Sequence, residues 1–277
     1  MNILIKSAKI FGIIILTFVI TVVAQNVAIL WHLLDLKAVE TILHGLTYAV
    51  ITFLLITWFI QKGLKQELRD YRLTRFKLSL DVIVIGLSIP VIVILICIIF
   101  IPGSFVVTRI ANPIDYCNML FEIIFLGGIF SPIAEEILVR GLLMGYIEKQ
   151  TNITTAIMIS SVLFAVVHLF NGGMSGVSLI LLLTSGTIAG ILYGLIAYKY
   201  QSIWASACLH ICWNLSDLCH ISTNNEQYGI VQYIVETKNI WITGGAYGNS
   251  ASVISMLIFL MAIFLILKKA IKYSHSC

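Results

Sequence analysis

Charged residues are scarce in this sequence. Asp, Glu, Lys and Arg make up 11% of its 277 residues, whereas an ordinary soluble domain has about 25%. This scarcity, together with 60% hydrophobic residues, excludes a soluble globular domain and predicts an integral membrane protein. The few basic residues lie at the ends of apolar runs and form no basic stripe with interleaved aromatics. We therefore expect membrane lipid, and no nucleic acid, as a partner.

Several patterns that define other architectures are also missing. The sequence has no strands of alternating polarity, so helices must satisfy the backbone hydrogen bonds inside the bilayer. It has neither a paired CxxC pattern nor an HExxH helix, so its six cysteines are interpreted as small apolar residues. No linker rich in Pro, Gly or Ser divides the chain. The expected fold class is therefore all-α, a polytopic helical membrane protein.

The apolar runs predict about eight transmembrane helices. Their approximate ranges are 8–34, 39–61, 79–101, 118–147, 153–170, 177–198, 202–219 and 251–268. Segment 62–77 carries six Lys and Arg residues, so the positive-inside rule predicts that this segment and both termini are cytoplasmic. The first run is longer than the apolar core of a signal peptide, and we interpret it as an uncleaved span.

The chain is expected to contain three successive segments. Residues 1–117 form the N-terminal transmembrane helices and the basic cytoplasmic loop. Residues 118–219 form a core of four transmembrane helices, whose spans contain unusual polar residues. Residues 220–277 form an external loop and the C-terminal transmembrane helix; the glycines of this loop permit tight or re-entrant backbone.

Three ionisable side chains lie close together in the fourth span. A charge at the middle of a membrane costs at least about 2.5–3.5 kcal/mol, so such residues indicate a functional site. Glu136 and Arg140 are four residues apart, on one helical face and in the acid-before-base order that favours an ion pair. Glu135 points away from that face. We therefore expect Glu136 to be neutralised by Arg140, and Glu135 to be available as a general base of a membrane-embedded hydrolase.

Two later spans each carry a polar pair at helical spacing. Phe164 and His168 share one face of the fifth span, and His210 and Asn214 share one face of the seventh. The plainer interpretation of each pair is a hydrogen-bonded packing residue or a polar contact between helices. A rise of about 1.5 Å per residue gives Glu135, His168, His210 and Asn214 compatible depths in the bilayer. This agreement permits one shared cavity.

Two kinds of hydrolytic site can be built from these residues. Glu135, His168 and His210 are candidate ligands for a divalent metal such as zinc, which commonly has three protein ligands and an open water position. In a metal-free site, Glu135 activates water while His210 and Asn214 donate hydrogen bonds to the oxyanion. The residues alone leave both alternatives open, and the cofactor is unknown.

Three motifs on successive helices carry a family resemblance: Glu135-Glu136-x-x-x-Arg140, Phe164-x-x-x-His168 and His210-x-x-x-Asn214. They resemble the motifs of the prenyl-protein CAAX protease and bacteriocin-processing (CPBP) family, which includes lysostaphin resistance protein A-like proteins. Further similarities are Gly190, Gly194, Ser202-Ile203 and the Gly-Gly-x-Tyr-Gly turn at 244–248. The resemblance covers roughly residues 118–217.

The resemblance implies an intramembrane endopeptidase that hydrolyses a peptide bond of a membrane-associated peptide or protein. It also implies which residues are catalytic: Glu135 as the water-activating base, with Glu136, His168, His210 and Asn214, supported by Arg140 and Phe164. Family members are described both as metalloproteases and as metal-free glutamic proteases. We expect an integral, multi-pass protein of a bacterial plasma membrane, where peptide maturation, export or self-immunity fits better than cleavage of prenylated proteins.

Two other functional classes compete with an enzyme. A bacteriocin immunity protein or membrane scaffold could use the same fold to bind a partner, with the motif residues as buried polar contacts. A transporter is disfavoured, because inverted repeats with interrupted spans are not evident. The remaining histidines, His32, His44, His220 and His275, are interpreted as lacking partners at a useful spacing.

Overall fold

A computed structural model describes residues 3–171 and 176–274 of the chain. Six of its helical segments are long and apolar enough to cross a membrane: Ile3–Leu34, Ala38–Gly63, Leu80–Phe100, Pro113–Gln150, Gly176–Tyr200 and Gly245–Lys268. The predicted all-α, polytopic class is confirmed. The two other predicted spans, 153–170 and 202–219, contain helices of 15 and 13 residues, which are shorter than the roughly 20 residues needed to span the bilayer alone.

Eleven α-helices are present in the described residues. Their bounds are α1 Ile3–Ala28, α2 Ala38–Trp58, α3 Leu80–Phe100, α4 Pro113–Phe121, α5 Ser131–Glu136, α6 Met144–Gln150, α7 Ile153–Val167, α8 Gly176–Tyr200, α9 Ile203–Leu215, α10 Ile240–Thr243 and α11 Val253–Ser274. Turns of 3₁₀-helix cover Ile29–Leu34, Leu68–Tyr71, His168–Asn171, Ser216–Leu218 and Gly245–Ala251.

Side-chain caps define where the site-bearing helices begin. Asn112 accepts a hydrogen bond from the Ile114 N–H (3.0 Å) at the start of α4, and Asn152 accepts one from the Thr155 N–H (2.9 Å) at the start of α7. Each cap provides a partner for a backbone N–H that would otherwise have none at a helix N-terminus. Ser202 caps α9 in the same way.

The fourth span is one long helix that is interrupted twice. π-Helical turns at Glu122–Phe130 and Ile137–Leu143 lie on either side of α5, and a third, Phe59–Gly63, follows α2. Pro132 lies at the start of α5, directly after the first of these π-helical turns, and it has no backbone N–H to donate. π-Helical turns occur frequently at functional sites. The helix geometry is therefore irregular immediately around Glu135 and Glu136.

Small residues allow α7 and α8 to approach closely. A Cβ atom added at Gly190 would lie 2.8 Å from the Cα of Ser161, and one added at Gly186 would lie 2.9 Å from the Cβ of Ala165. Such stripes of small residues are a common means of packing helices inside membranes. Helices α7, α8 and α9 each contribute residues to both large clusters of buried apolar side chains. These three helices therefore connect the two clusters.

The described chain also contains a small three-stranded sheet, which the sequence analysis did not predict. Its strands are β1 Gly103–Val107, β2 Cys219–Ser222 and β3 Val231–Val235, in the order β1-β3-β2. Strand β3 is antiparallel to β1 and parallel to β2. Gly103 pairs with Val235, far away in sequence, so local patterns did not reveal the pairing. Part of the predicted external loop is therefore a strand.

The expectation that the remaining histidines lack partners is wrong for three of them. His32 is hydrogen-bonded to Glu40 (2.9 Å) and to His44 (3.0 Å), and His44 is also hydrogen-bonded to Gln25 (2.9 Å). His220 contacts two carboxylates, as described below. Most of these partners come from another helix or from a turn, where helical spacing has no predictive value. His275 lies outside the described residues.

Candidate active site

One cavity of about 340 Å³ brings the sequence-predicted site residues together. Glu135 enters it from α5, His168 from the end of α7, and His210 and Asn214 from α9. Its wall also contains Phe164, Tyr193 and Tyr247. The motif residues are thus neighbours in space although they are distributed over 80 residues of sequence.

Glu136 and Arg140 are both fully buried. Arg140 Nη1 lies 3.1 Å from Glu136 Oε1, so the predicted ion pair is present. Arg140 Nη2 donates a hydrogen bond to the Gly190 carbonyl on α8 (3.2 Å). The guanidinium carbon also lies 4.5 Å from the centre of the Phe164 ring and 5.4 Å from that of Tyr193, within the range of cation–π attraction. Arg140 therefore connects α5, α7 and α8.

His210 lies between the two adjacent carboxylates. Its Nδ1 is 3.2 Å from Glu136 Oε1, and its Nε2 is 3.9 Å from Glu135 Oε2. The ring stacks on Tyr193, with centroids 4.8 Å apart and planes inclined by 22°. Glu136 and Tyr193 therefore fix the orientation of the imidazole and direct Nε2 towards Glu135. The sequence did not reveal this contact of Glu136.

Glu135 has the exposure expected of a group that works on water. Its side chain is 31% exposed, yet its Oε2 atom is buried and has no hydrogen-bond partner within the described structure. Leaving a buried acceptor unpaired costs about 1–3 kcal/mol. Water or a substrate in the cavity would provide the missing hydrogen bond.

His168 and Asn214 each bond to a backbone carbonyl through one polar group and have a second polar group left for the cavity. His168 Nδ1 lies 2.7 Å from the Phe164 carbonyl oxygen, and a carbonyl can only accept, so Nδ1 carries the proton. In the neutral ring, Nε2 is then an acceptor. Asn214 donates from Nδ2 to the Gly127 carbonyl (2.8 Å), which anchors it to the π-helical turn before α5. Its second N–H remains available.

Two tyrosines of the cavity were not identified as site residues from sequence. Tyr247 lies 6.1 Å from His168, centroid to centroid, and is brought there by a turn in which Gly244 has a φ of 78°. A Cβ at Gly244 would lie 1.8 Å from the Gly248 carbonyl oxygen, so glycine is required. The Gly-Gly-x-Tyr-Gly pattern was the available signal for Tyr247. The sequence signal for Tyr193 was weaker and consisted of its position between Gly190 and Gly194.

A metal site requires at least three converging ligands. Among residues 3–171 and 176–274, no group of three or more His, Cys, Asp or Glu side chains is arranged to hold a metal ion. Glu135 and His210 are close, but His168 does not complete a set with them. As placed, these side chains do not fit a zinc ion.

The comparison with protein families matches the segment that carries the motif residues of this cavity. Residues 118–216 match the model described as type II CAAX prenyl endopeptidase Rce1-like. This match confirms the resemblance to the CAAX protease family over that segment. All seven motif residues, from Glu135 to Asn214, lie within it. No curated protein sequence matches the chain.

Proposed function

We propose that this chain, whose residues 118–216 match the Rce1-like family model, hydrolyses a peptide bond of a membrane-associated peptide or protein. The observation that carries the proposal is the unpaired Oε2 atom of Glu135, located 3.9 Å from His210 Nε2 in a cavity built largely from membrane-spanning helices. Hydrolysis there requires water inside the protein, and polar side chains facing a cavity can retain it.

The charges of the site favour one starting state. Glu135, Glu136 and Arg140 together carry one net negative charge, and protonation of His210 makes the cluster neutral. Burying uncompensated charge costs several kcal/mol, about 3–5 when a partner is removed from a buried pair. In this state His210 donates Nδ1–H to Glu136 and directs Nε2–H into the cavity, beside Glu135.

The proposed reaction begins with Glu135 as general base. Its carboxylate takes a proton from water while the water oxygen bonds to the carbonyl carbon of the substrate. The resulting oxyanion accepts hydrogen bonds from His210 Nε2–H and from the free N–H of Asn214. The C–N bond then breaks, the proton held by Glu135 passes to the leaving nitrogen, and the products are a carboxylic acid and an amine. The acid proton then passes to the amine, which leaves a carboxylate and an ammonium group.

His168 and the aromatic residues position the reactants. His168 Nε2 can accept a hydrogen bond from the attacking water or from the leaving amine, because Nδ1 is committed to Phe164. Phe164 contacts both imidazoles, with centroids 4.8 Å from His168 and 5.7 Å from His210. It therefore keeps the two rings apart and limits the volume of the cavity.

A panel of quenched fluorescent decapeptides would test the proposal. Each peptide is prepared with and without a farnesylated cysteine and offered to the purified protein in lipid nanodiscs, in water enriched in ¹⁸O. We expect cleavage within at least one sequence and incorporation of one ¹⁸O into the new carboxylate. Comparison of each peptide with its farnesylated form shows whether cleavage requires a prenyl group. If the panel remains intact, the endopeptidase proposal is contradicted and a binding role gains support.

A further inference from the structure

The free edge of strand β2 lies next to the catalytic cavity. The strand order β1-β3-β2 leaves β2 paired on one side only. Within the described residues, one backbone hydrogen bond of residues 219–222 lies outside the sheet, from the Cys219 N–H to the Ser216 carbonyl. An unpaired edge is a ready template for another extended chain. Its position beside Glu135 therefore suggests a role in holding a peptide.

The sheet pairing determines which backbone groups are free. The Glu236 N–H donates to the Pro102 carbonyl (2.9 Å) beside the pairing of β3 with β1, so the even-numbered residues of β3 face β1. Val231 and Tyr233 consequently face β2. In a parallel ladder, the N–H and C=O of such a residue bond to the two residues that flank its register partner on the other strand, and not to the partner itself. The partners here are Cys219 and Ile221. The Cys219 N–H already donates to the Ser216 carbonyl, so the Cys219 C=O and the N–H and C=O of Ile221 are left for the open edge.

The open edge lies along two adjoining cavities. Cys219 and Ile221 line the catalytic cavity, and Ile221 also lines a second cavity of about 200 Å³. Five residues line both cavities: His220, Ile221, Tyr247, Gly248 and Asn249. A Cβ added at Gly248 would meet nothing within 4 Å. Open space at Gly248 therefore adjoins the two cavities along β2.

We propose that the substrate binds as an extended strand added to the open edge of β2. Its scissile bond then lies in the catalytic cavity and its flanking residues in the second cavity. This inference rests on the proposed function. A peptide that enters an enclosed site must find partners for its backbone groups, because burying them unpaired is costly. Cys219 and Ile221 offer such partners, and strand addition is a common mode of peptide recognition.

Strand addition predicts an alternating dependence on the substrate backbone. The four residues of β2 span only about 13 Å, so two substrate residues, at alternate positions, would bond to the edge. Each backbone N–H of a peptide that the protein binds is replaced in turn by N-methyl. We expect a loss of about fivefold or more in affinity or kcat/KM at alternate positions and little loss between them. A flat scan would contradict strand addition.

Ile221→Pro tests the complementary bond, which the Ile221 N–H would donate to a substrate carbonyl. It removes the outward N–H, and proline is tolerated at strand edges; Val107→Pro, which removes the outward N–H of an exposed residue at the opposite edge of the sheet, is the matched control. We expect Ile221→Pro to raise KM about fivefold with a smaller change in kcat, and Val107→Pro to stay within twofold.

A spectroscopic readout separates this inference from the proposed function. The Glu135→Gln variant is loaded with panel peptides carrying a ¹³C carbonyl at successive positions, and the amide I band is recorded.

A strand-like band without cleavage by wild type would retain the inference and refute the proposed function. Cleavage without the strand band, or with a flat N-methyl scan, would support the proposed function and refute strand addition. If no peptide of the panel binds, the inference is overturned. Ile221→Pro should lose the band even if its activity is too low to measure.

Discussion

The protein places histidine between carboxylates in two regions with very different surroundings. In the inner cluster, His210 lies between Glu135 and Glu136, and Arg140 balances the charge. In the outer cluster, His220 Nδ1 lies 3.4 Å from Asp217 and Nε2 lies 3.2 Å from Glu226. The carboxylates of the outer cluster are about half exposed, whereas Glu136 and Arg140 are completely enclosed.

The contrast shows how burial changes what the same residue types require. The inner charges have little water to solvate them, so each needs an opposite charge nearby. Of the two carboxylates, it is that of Glu135 that lines the cavity. The outer charges are solvated and screened, so their pairing contributes little to stability. His220 nevertheless lines the wall of the catalytic cavity. The two clusters should therefore differ sharply in their response to mutation.

The largest expected effect is on stability, from removal of the inner cation. Arg140→Met leaves Glu136 buried without its guanidinium partner, which should destabilise the protein by about 3–5 kcal/mol. The measurement is the free energy of unfolding in detergent micelles. The matched control is Arg109→Met, at an exposed position with no side-chain ion pair among the described residues, and it should change stability little. Equal losses of stability in both variants would contradict the claim that burial makes the partner of Glu136 necessary.

A smaller effect is expected from the outer cluster. Glu226→Gln removes one partner of His220, but the carboxylate is half exposed, so the loss should be below about 1 kcal/mol. The same unfolding assay applies, and Asp217→Asn provides an independent variant of the pair. A loss as large as that of Arg140→Met would show that the outer cluster is also enclosed when the protein is in a membrane.

The smallest effect is a pH dependence of the outer cluster. Burial alone would lower the pKa of His220, but hydrogen bonds and charge from Asp217 and Glu226 raise it above its ordinary value of 6.5. A raised folded-state pKa contributes stability that is fully present below about pH 6.5 and is lost as the pH rises through the folded-state pKa. The stability difference between wild type and His220→Gln should therefore shrink between pH 6 and pH 8. A difference that grows over this range would contradict the assigned contacts.

Helical spacing predicted the inner cluster because its geometry is mostly local. The ion pair of Glu136 and Arg140 follows from a four-residue separation, and apolar runs were sufficient to identify the six long helices. The hydrogen bond between His210 and Glu136 was not predictable, because it depends on how α5 and α9 pack. The π-helical turns around α5 were also missed, since apolar periodicity does not distinguish them from α-helix.

The outer region was less predictable because long-range contacts form it. Strand β3 pairs with a strand more than a hundred residues earlier, and the partners of His220 include Glu226 in a turn. The predicted seventh span contains α9, then a 3₁₀ turn and the first residue of β2, although its apolar composition reads as one helix. Tyr247 reaches the cavity only because three glycines of its turn adopt positive φ values.

The central claim is that Glu135 is the base that activates water. The most direct test compares Glu135→Gln with Glu122→Gln in nanodiscs, on the peptide of the panel that wild type cleaves fastest. Glu122 lies earlier in the same span, at an exposed position, and serves as the matched control. We predict that Glu135→Gln lowers kcat by about 10²–10⁴-fold, the usual contribution of a general base, while Glu122→Gln stays within twofold of wild type. Full activity of Glu135→Gln would contradict the claim.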